Sequence, residues 1–259
     1  MGTPSARPST RRIHSISRVL AVMAHPDDAD VRCGGTFARW ADEGKEITYV
    51  IATSGSRGGD GTTSEAELAT LREAEQRESA ELLGIREVVF LGHEDGYLTP
   101  SLELRRDITR EIRRVRPEVV VTHYPVRHFA WGNHPDHHAV GEATAAAVYP
   151  TARNPMAFPD LLAAGLEPWE VTWLMAIDPD EPDFFVDIAS SLERKVAAIG
   201  CHRSQYDQHY LDFSRKLAEL TAADGAARGY PGLAHAESYK LRFEGHPRLL
   251  AELGGAIPG

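Results

Sequence analysis

A chain of 259 residues is long for the commonest domain size yet ordinary for one α/β domain, and its 42% hydrophobic and 25% charged fractions are those of a globular protein. No stretch approaches the ~18 continuous apolar residues of a membrane-crossing helix, which excludes a membrane span. The formal charge of -10 argues against a nucleic-acid partner, because phosphate binding rests on a net basic face.

Met1 to Arg18 is basic and rich in Ser and Pro, and the apolar run behind it, Val19 to Ala24, is shorter than the ~7 residues of a signal-peptide core. Residues 1–17 are therefore expected to form a disordered basic arm, and 18–259 one domain of a cytoplasmic protein. Cys33 and Cys201 have neither the number nor the spacing of a disulfide framework or a Cys-x-x-Cys site, and are expected to be buried small residues.

The first strand is expected over Arg18 to Ala24, followed by Gly34-Gly35-Thr36, a helical pattern through Phe37, Trp40 and Ala41, and a second apolar run, Ile47 to Ala52. Strand, helix, strand makes a βαβ unit. Thr53 to Gly61 is a run of turn formers without the Gly-Lys-Ser/Thr ending of a phosphate loop, and is expected to be a mobile rim loop. Glu65 to Leu83 is a charged helix with an apolar stripe at Leu68, Leu71 and Leu82-Leu83, stopped by Gly84. Val88 to Leu91 is a third strand, Leu102 to Val115 an amphipathic helix, and Val119 to Thr122 a β-branched fourth strand ending on His123. An alanine-rich helix, Ala139 to Tyr149, precedes a proline-punctuated surface excursion, Pro150 to Pro168. Later strands are expected over Val171 to Ile177, Phe184 to Ile188 and Tyr239 to Phe243, and helices over Ser191 to Cys201 and Leu211 to Ala223.

This alternation predicts an α/β fold, a mostly parallel sheet with helices on both faces. Ligands in such sheets bind beyond the carboxyl ends of the strands, and His25, His93 and His123 all fall there.

Two stretches share a His-Pro-Asp grammar: His25-Pro26-Asp27-Asp28, closing the first strand, and His134-Pro135-Asp136-His137-His138, opening a helix. His25, Asp28 and His137 supply two imidazoles and a carboxylate, a frequent catalytic zinc set that leaves the fourth position to water. Asp27 is then placed to act as base on that water, and His134 to stabilise an oxyanion or protonate a leaving group. Asp136 is expected to orient His134. Taken singly, Asp27, Asp28 and Asn133 read as ordinary helix caps and each histidine as a surface residue; the conjunction of two such clusters on one rim favours metal catalysis.

Ala24-His25-Pro26-Asp27-Asp28 with Gly34-Gly35-Thr36, His134-Pro135-Asp136-His137, and between them Arg72-x-x-Glu75, Leu83-Gly84 and Phe90-Leu91-Gly92 leading to Asp95-Gly96 resemble the zinc-dependent de-N-acetylases of the PIG-L or LmbE-like family. The resemblance spans Val19 to Val148. It implies a Rossmann-like fold, zinc held by His25, Asp28 and His137, Asp27 as base, His134 supported by Asp136, and hydrolysis of an acetamide on an amino-sugar glycoside. It also implies sugar-hydroxyl contacts from Arg72 and Asp95. Many relatives carry Glu where this chain has Asp30, and His202-x-Ser204-Gln205 echoes a later family motif. Iron(II) also suits this ligand set. A non-haem iron enzyme and a non-catalytic sugar-binding relative are the rival readings, and a homo-oligomer is left open.

Overall fold

The computed structural model describes residues 16–126 and 134–243. The expected basic arm therefore lies almost wholly outside the described residues, as do His128 and Asn133. Seven strands form one sheet in the order β3-β2-β1-β4-β5-β7-β6: β1 Arg18–Met23, β2 Glu46–Thr53, β3 Glu87–His93, β4 Val119–His123, β5 Trp173–Ile177, β6 Phe184–Asp187 and β7 Ala236–Phe243. The first five are parallel; β7 runs antiparallel to β5 and to β6.

The helices are α1 Asp28–Asp42, α2 Glu65–Leu83, α3 Leu102–Val115, α4 Pro135–Ala146, α5 Pro159–Ala163, α6 Leu192–Ile199 and α7 Gln208–Ala227. β1 is buried on both faces, which is why it reads as an unbroken apolar run. Val19, Ala21 and Met23 pack in one core layer with Phe37 and Trp40 of α1, while Leu20, Val22 and Ala24 pack in the other with Ile108 of α3 and Val140 of α4. Each such large apolar side chain contributes about 1.5–3 kcal/mol of burial. Among the described residues no helix is long and apolar enough to cross a membrane.

Strand order reverses between β1 and β4, the neighbours at the centre of the sheet. A crevice opens at such a switch point beyond the strand ends, and there β1 delivers His25 and β4 ends on His123.

Several boundaries depart from the sequence expectation. Gly34-Gly35-Thr36 does not precede a helix but lies inside α1, which starts at Asp28. A Cβ on Gly35 would stand 2.7 Å from Ile188 Cβ, so the glycine allows the helix to approach the segment after β6 closely. The helix that carries His137 starts at Pro135, four residues before the alanine run, because proline suits the first helical position. The apolar stripe of α2 is reduced to Leu68 and Leu83, with Leu71 and Leu82 each 45% exposed. The buried face of α2 instead carries Arg72, Glu75, Gln76 and Ser79. The excursion after α4 is anchored inward: buried Arg113 donates to the carbonyls of Thr151, Ala152, Asn154 and Ala157.

Candidate metal centre and catalytic site

The turn after β1 holds Asp27 at φ 98°, ψ -32°, a region that costs a non-glycine residue about 1–3 kcal/mol. Polar groups from α2 retain it: Gln76 Oε1 accepts the Asp27 amide at 2.8 Å, and Arg72 Nη2 donates to the Pro26 carbonyl at 2.8 Å. Asp27 occupies the cap position of α1, yet its side chain makes no capping hydrogen bond. Its Oδ2 instead accepts from Arg72 Nη2 at 3.0 Å and from the Tyr206 hydroxyl at 3.1 Å. The helix-cap reading of this aspartate is thereby set aside.

His25, Asp28 and His137 are brought together by the turn and by the first turn of α4. His25 Nδ1 lies 3.2 Å from His137 Nε2 and 3.5 Å from Asp28 Oδ2, and His137 Nε2 lies 3.2 Å from Asp28 Oδ1. Ligands about 2.0–2.1 Å from a tetrahedral zinc stand about 3.3–3.4 Å from one another, so the three donors are spaced for one ion. The proton on His25 is also placed. Its Nε2 faces Asp95 Oδ1 at 3.2 Å and Asp136 Oδ2 at 3.3 Å, both acceptors only, so Nε2 carries hydrogen and Nδ1 is the nitrogen turned towards Asp28 and His137. Carboxylate partners of this kind orient metal-binding histidines.

The surrounding charges are consistent with this arrangement. Burial alone would lower the His25 pKa, but hydrogen bonds to Asp136, Asp28 and Asp95 hold it well above the usual histidine value. Burial would raise Asp28, but the charges of His137 and His123 keep it well below the carboxylate range. A cation bound between them would take the place of the proton on this acid-rich cluster. Asp27 is raised to about 6, first by burial and then by the Asp28 charge, against the pull of Arg72.

The Asp136 carboxylate is turned towards His25. Its Oδ2 accepts the Gly96 amide at 2.7 Å and its Oδ1 the Leu98 amide at 3.1 Å, so the carboxylate faces His25 rather than His134. The Asp136 backbone amide is what reaches His134, donating to Nδ1 at 3.2 Å. His134 is exposed at the rim, with its pKa lowered by burial of part of the ring and by His25 and His137. Arg72 is 4% exposed and donates to the Gly55 carbonyl as well as to Pro26 and Asp27. Asp95 Oδ2 accepts the Arg57 amide at 2.7 Å, and despite burial the hydrogen bonds from His25 and Arg57 hold its pKa down at about 2.

These residues line one cavity of about 340 Å³, bounded by His25, Asp27, Asp28, Arg57, Gly58, Arg72, Asp95, Gly96, His134 and His137. His123 is buried behind it, its ring stacked on His137 with centroids 4.0 Å apart and its pKa lowered to about 4 by burial and by His137. His93 stands apart and pairs with Asp107 of α3 at 3.1 Å.

Sequence reasoning singled out Asp30, Glu75, His202 and Ser204 but not the layer they form beneath the site. Asp30, fully buried, accepts from Tyr49, Gln76, Ser79 and His202 at 2.6–3.1 Å, so the shorter acid at this position is fully partnered. Glu75 accepts the amide and hydroxyl of Ser204, docking the loop that carries Tyr206 to Asp27. The available signal was the polar spacing on α2: Arg72, Glu75, Gln76 and Ser79 follow i, i+3, i+4, i+7, the pattern of one buried helix face.

Known proteins share this arrangement of elements. Residues 20–148 match the PIG-L family, GlcNAc-PI de-N-acetylase. The diacetylchitobiose deacetylase of Thermococcus kodakarensis is 34% identical over 200 residues, covering 75% of this chain and 72% of that protein. A probable N-acetyl-alpha-D-glucosaminyl L-malate deacetylase 2 of Bacillus cereus is 30% identical over 213 residues, 79% of this chain and 91% of that one. Among solved structures, the N,N'-diacetylchitobiose deacetylase of Pyrococcus horikoshii superposes with a TM-score of 0.82 at 29% identity, covering 93% of this chain and 88% of its own.

Proposed function

The chain belongs to the PIG-L family, and on that premise we propose that it is a metal-dependent N-deacetylase acting on an N-acetylglucosamine-type glycoside and releasing acetate. The observation that carries this reading is the convergence of His25, Asp28 and His137 beside an Asp27 carboxylate that caps no helix. His25, Asp28 and His137 would hold the ion; the two imidazoles and one carboxylate suit zinc, and suit iron(II) as well. When bound, the metal polarises the acetamide carbonyl and lowers the pKa of a water to about 7.

Asp27 takes the proton of the attacking water. Its raised pKa sits close to neutrality, where a general base is most effective. Both of its side-chain contacts, to Arg72 and Tyr206, fall on Oδ2, which leaves Oδ1 for the water. His134 accepts the Asp136 amide at Nδ1, so its proton resides on Nε2, from which a neutral imidazole donates to the oxyanion as the carbonyl carbon becomes tetrahedral. The proton held by Asp27 passes to the amine nitrogen as the C–N bond breaks, giving acetate and a free amino sugar. Asp136 and Asp95 orient His25, and Arg72, turned onto Asp27 and the Pro26 and Gly55 carbonyls, holds the base in place on the cavity wall.

The test is metal content measured alongside acetate release from a panel of N-acetylglucosaminides, for wild type and Asp27→Asn. Near-stoichiometric metal in both, with turnover of the variant lower by about 10²–10⁴-fold, is the expected result. Wild-type protein that takes up no metal would overturn the ligand assignment, and metal-loaded wild type that releases no acetate from any sugar would overturn the deacetylase reading.

A further inference from the structure

Asp27 can serve as base only while its free oxygen is held towards the reacting water, and a carboxylate turns about the bond to its own Cβ. Its two oxygens are held unequally. Among the described residues both hydrogen bonds that reach the side chain end on Oδ2, from Arg72 Nη2 at 3.0 Å and from the Tyr206 hydroxyl at 3.1 Å. Nη2 of Arg72 has two hydrogens, and the second goes to the Pro26 carbonyl at 2.8 Å. Arg72 therefore gives Asp27 one hydrogen bond, about which the carboxylate can still swing. Hydrogens approach an sp² oxygen near the plane of its group, so a second donor on the same atom fixes that plane. Tyr206 is that donor: near neutrality a tyrosine keeps its proton, and an ionised carboxylate only accepts.

The Tyr206 hydroxyl has a firm mounting. The His202 carbonyl accepts the Gln205 amide at 2.9 Å and the Tyr206 amide at 3.0 Å, which closes the loop into a turn. Three contacts tie that turn down. His202 Nε2 lies 2.7 Å from Asp30 Oδ2, the Ser204 amide and hydroxyl donate to Glu75 at 2.9 and 2.6 Å, and both terminal nitrogens of Arg203 donate to Glu78 at 2.8 and 2.7 Å. Glu75 and Glu78 belong to α2, which also carries Arg72, so the two donors to Asp27 share one support. The Tyr206 ring itself stacks on Tyr210 of α7, with centroids 4.2 Å apart and planes at 22°. Backbone turn, ion pairs and ring stack leave the hydroxyl little freedom, the preorganisation that a group aimed at a catalytic side chain needs.

We infer that Tyr206 is a positioning residue: its hydroxyl, with Arg72, sets the plane of the Asp27 carboxylate so that Oδ1 meets the attacking water. The inference rests on the deacetylase reading and adds a residue to it. The experiment compares wild type, Tyr206→Phe, Ser204→Ala and the double variant in acetate release from the N-acetylglucosaminide that wild type turns over fastest, with zinc affinity measured by chelator competition. Tyr206→Phe keeps the ring and its stack and removes only the hydroxyl. Its kcat is expected to fall about 10–100-fold, the range of a base displaced by up to about 1 Å, with KM and zinc affinity within about twofold of wild type. Ser204→Ala keeps the Tyr206 hydroxyl but loosens the loop from Glu75, so it is expected to lower kcat only through Tyr206 and to add nothing in the Tyr206→Phe background. A further arm repeats Tyr206→Phe in Asp27→Asn, where the hydroxyl has no base to position and the residual rate is expected to change less than about twofold. An unchanged kcat in Tyr206→Phe, an equal fall with and without Asp27, additive effects of Ser204→Ala, or weakened zinc binding each overturns the positioning role and leaves the deacetylase reading intact. Wild type that releases no acetate from any N-acetylglucosaminide overturns both.

Discussion

Replacing Asp136 by Asn separates two roles that the sequence alone leaves confounded. The side chain is fully buried, accepts the Gly96 and Leu98 amides through its two oxygens, and lies 3.3 Å from His25 Nε2. Asparagine is nearly isosteric but offers one acceptor and one NH₂ group. With the NH₂ at the Oδ2 position it opposes both the Gly96 amide and the His25 N–H; flipped, it opposes the Leu98 amide alone. The flipped arrangement is the milder, and one unsatisfied buried donor costs about 1–3 kcal/mol. In a chain of this size each kcal/mol lowers Tm by about 2–4 °C. His25 meanwhile loses the negative charge of one of the two carboxylates at its Nε2, and disturbance of such a partner lowers metal affinity about 10–100-fold. Chelator competition for zinc reads the affinity, and a thermal melt of the metal-free protein reads the stability separately. Zinc affinity within twofold of wild type, together with a depressed kcat, would refute this reasoning and restore Asp136 to the support of His134.

Two further outcomes follow from the packing beneath the site. Gly35→Ala places a methyl 2.7–2.8 Å from three carbons of Ile188, an overpacking of about 1–3 kcal/mol, so its Tm is expected to fall; an unchanged or raised Tm would show that α1 is free to shift. His202, whose Nε2 lies 2.7 Å from Asp30 Oδ2, has a raised pKa: burial opposes the charge, but the hydrogen bond and charge of Asp30 prevail. A histidine raised on folding contributes stability in full below its unfolded pKa of about 6.5 and loses it as pH rises through the folded value. The gap in stability between wild type and His202→Gln is therefore expected to be widest at acid pH and to narrow above neutrality, and a gap that widens with pH would reverse the assignment.

Much of the fold was legible because parallel strands buried on both faces must be apolar throughout. Val19 to Ala24 and Val119 to Thr122 announce the central strands in the linear text. The bounds of α2 and α3 were legible too, because Ser64, Gly84 and Ser101 act locally: the two serines accept amides three residues on, and Gly84 takes the left-handed conformation at φ 76°. The start of α1 was not. Gly34-Gly35 argues against a helix by propensity, and only the close approach of Ile188 shows why glycine is retained inside one.

The site divides in the same way. The sequence by itself determined which donors are available: His-Pro-Asp turns at two strand or helix ends, the residue types of a metal hydrolase, and their placement beyond the carboxyl ends of parallel strands. Only the tertiary structure decided which atoms meet. That Asp136 faces His25 instead of His134, that Arg72 grips Asp27, and that Tyr206 arrives from 179 residues away are consequences of how α2, α4 and the loop before α7 pack around the switch point. Residue type and local spacing reveal chemistry because turns and caps are short-range. The direction of a buried carboxylate is set by the backbone amides it must satisfy, here those of Gly96 and Leu98, and these come from a distant strand end that no local pattern encodes.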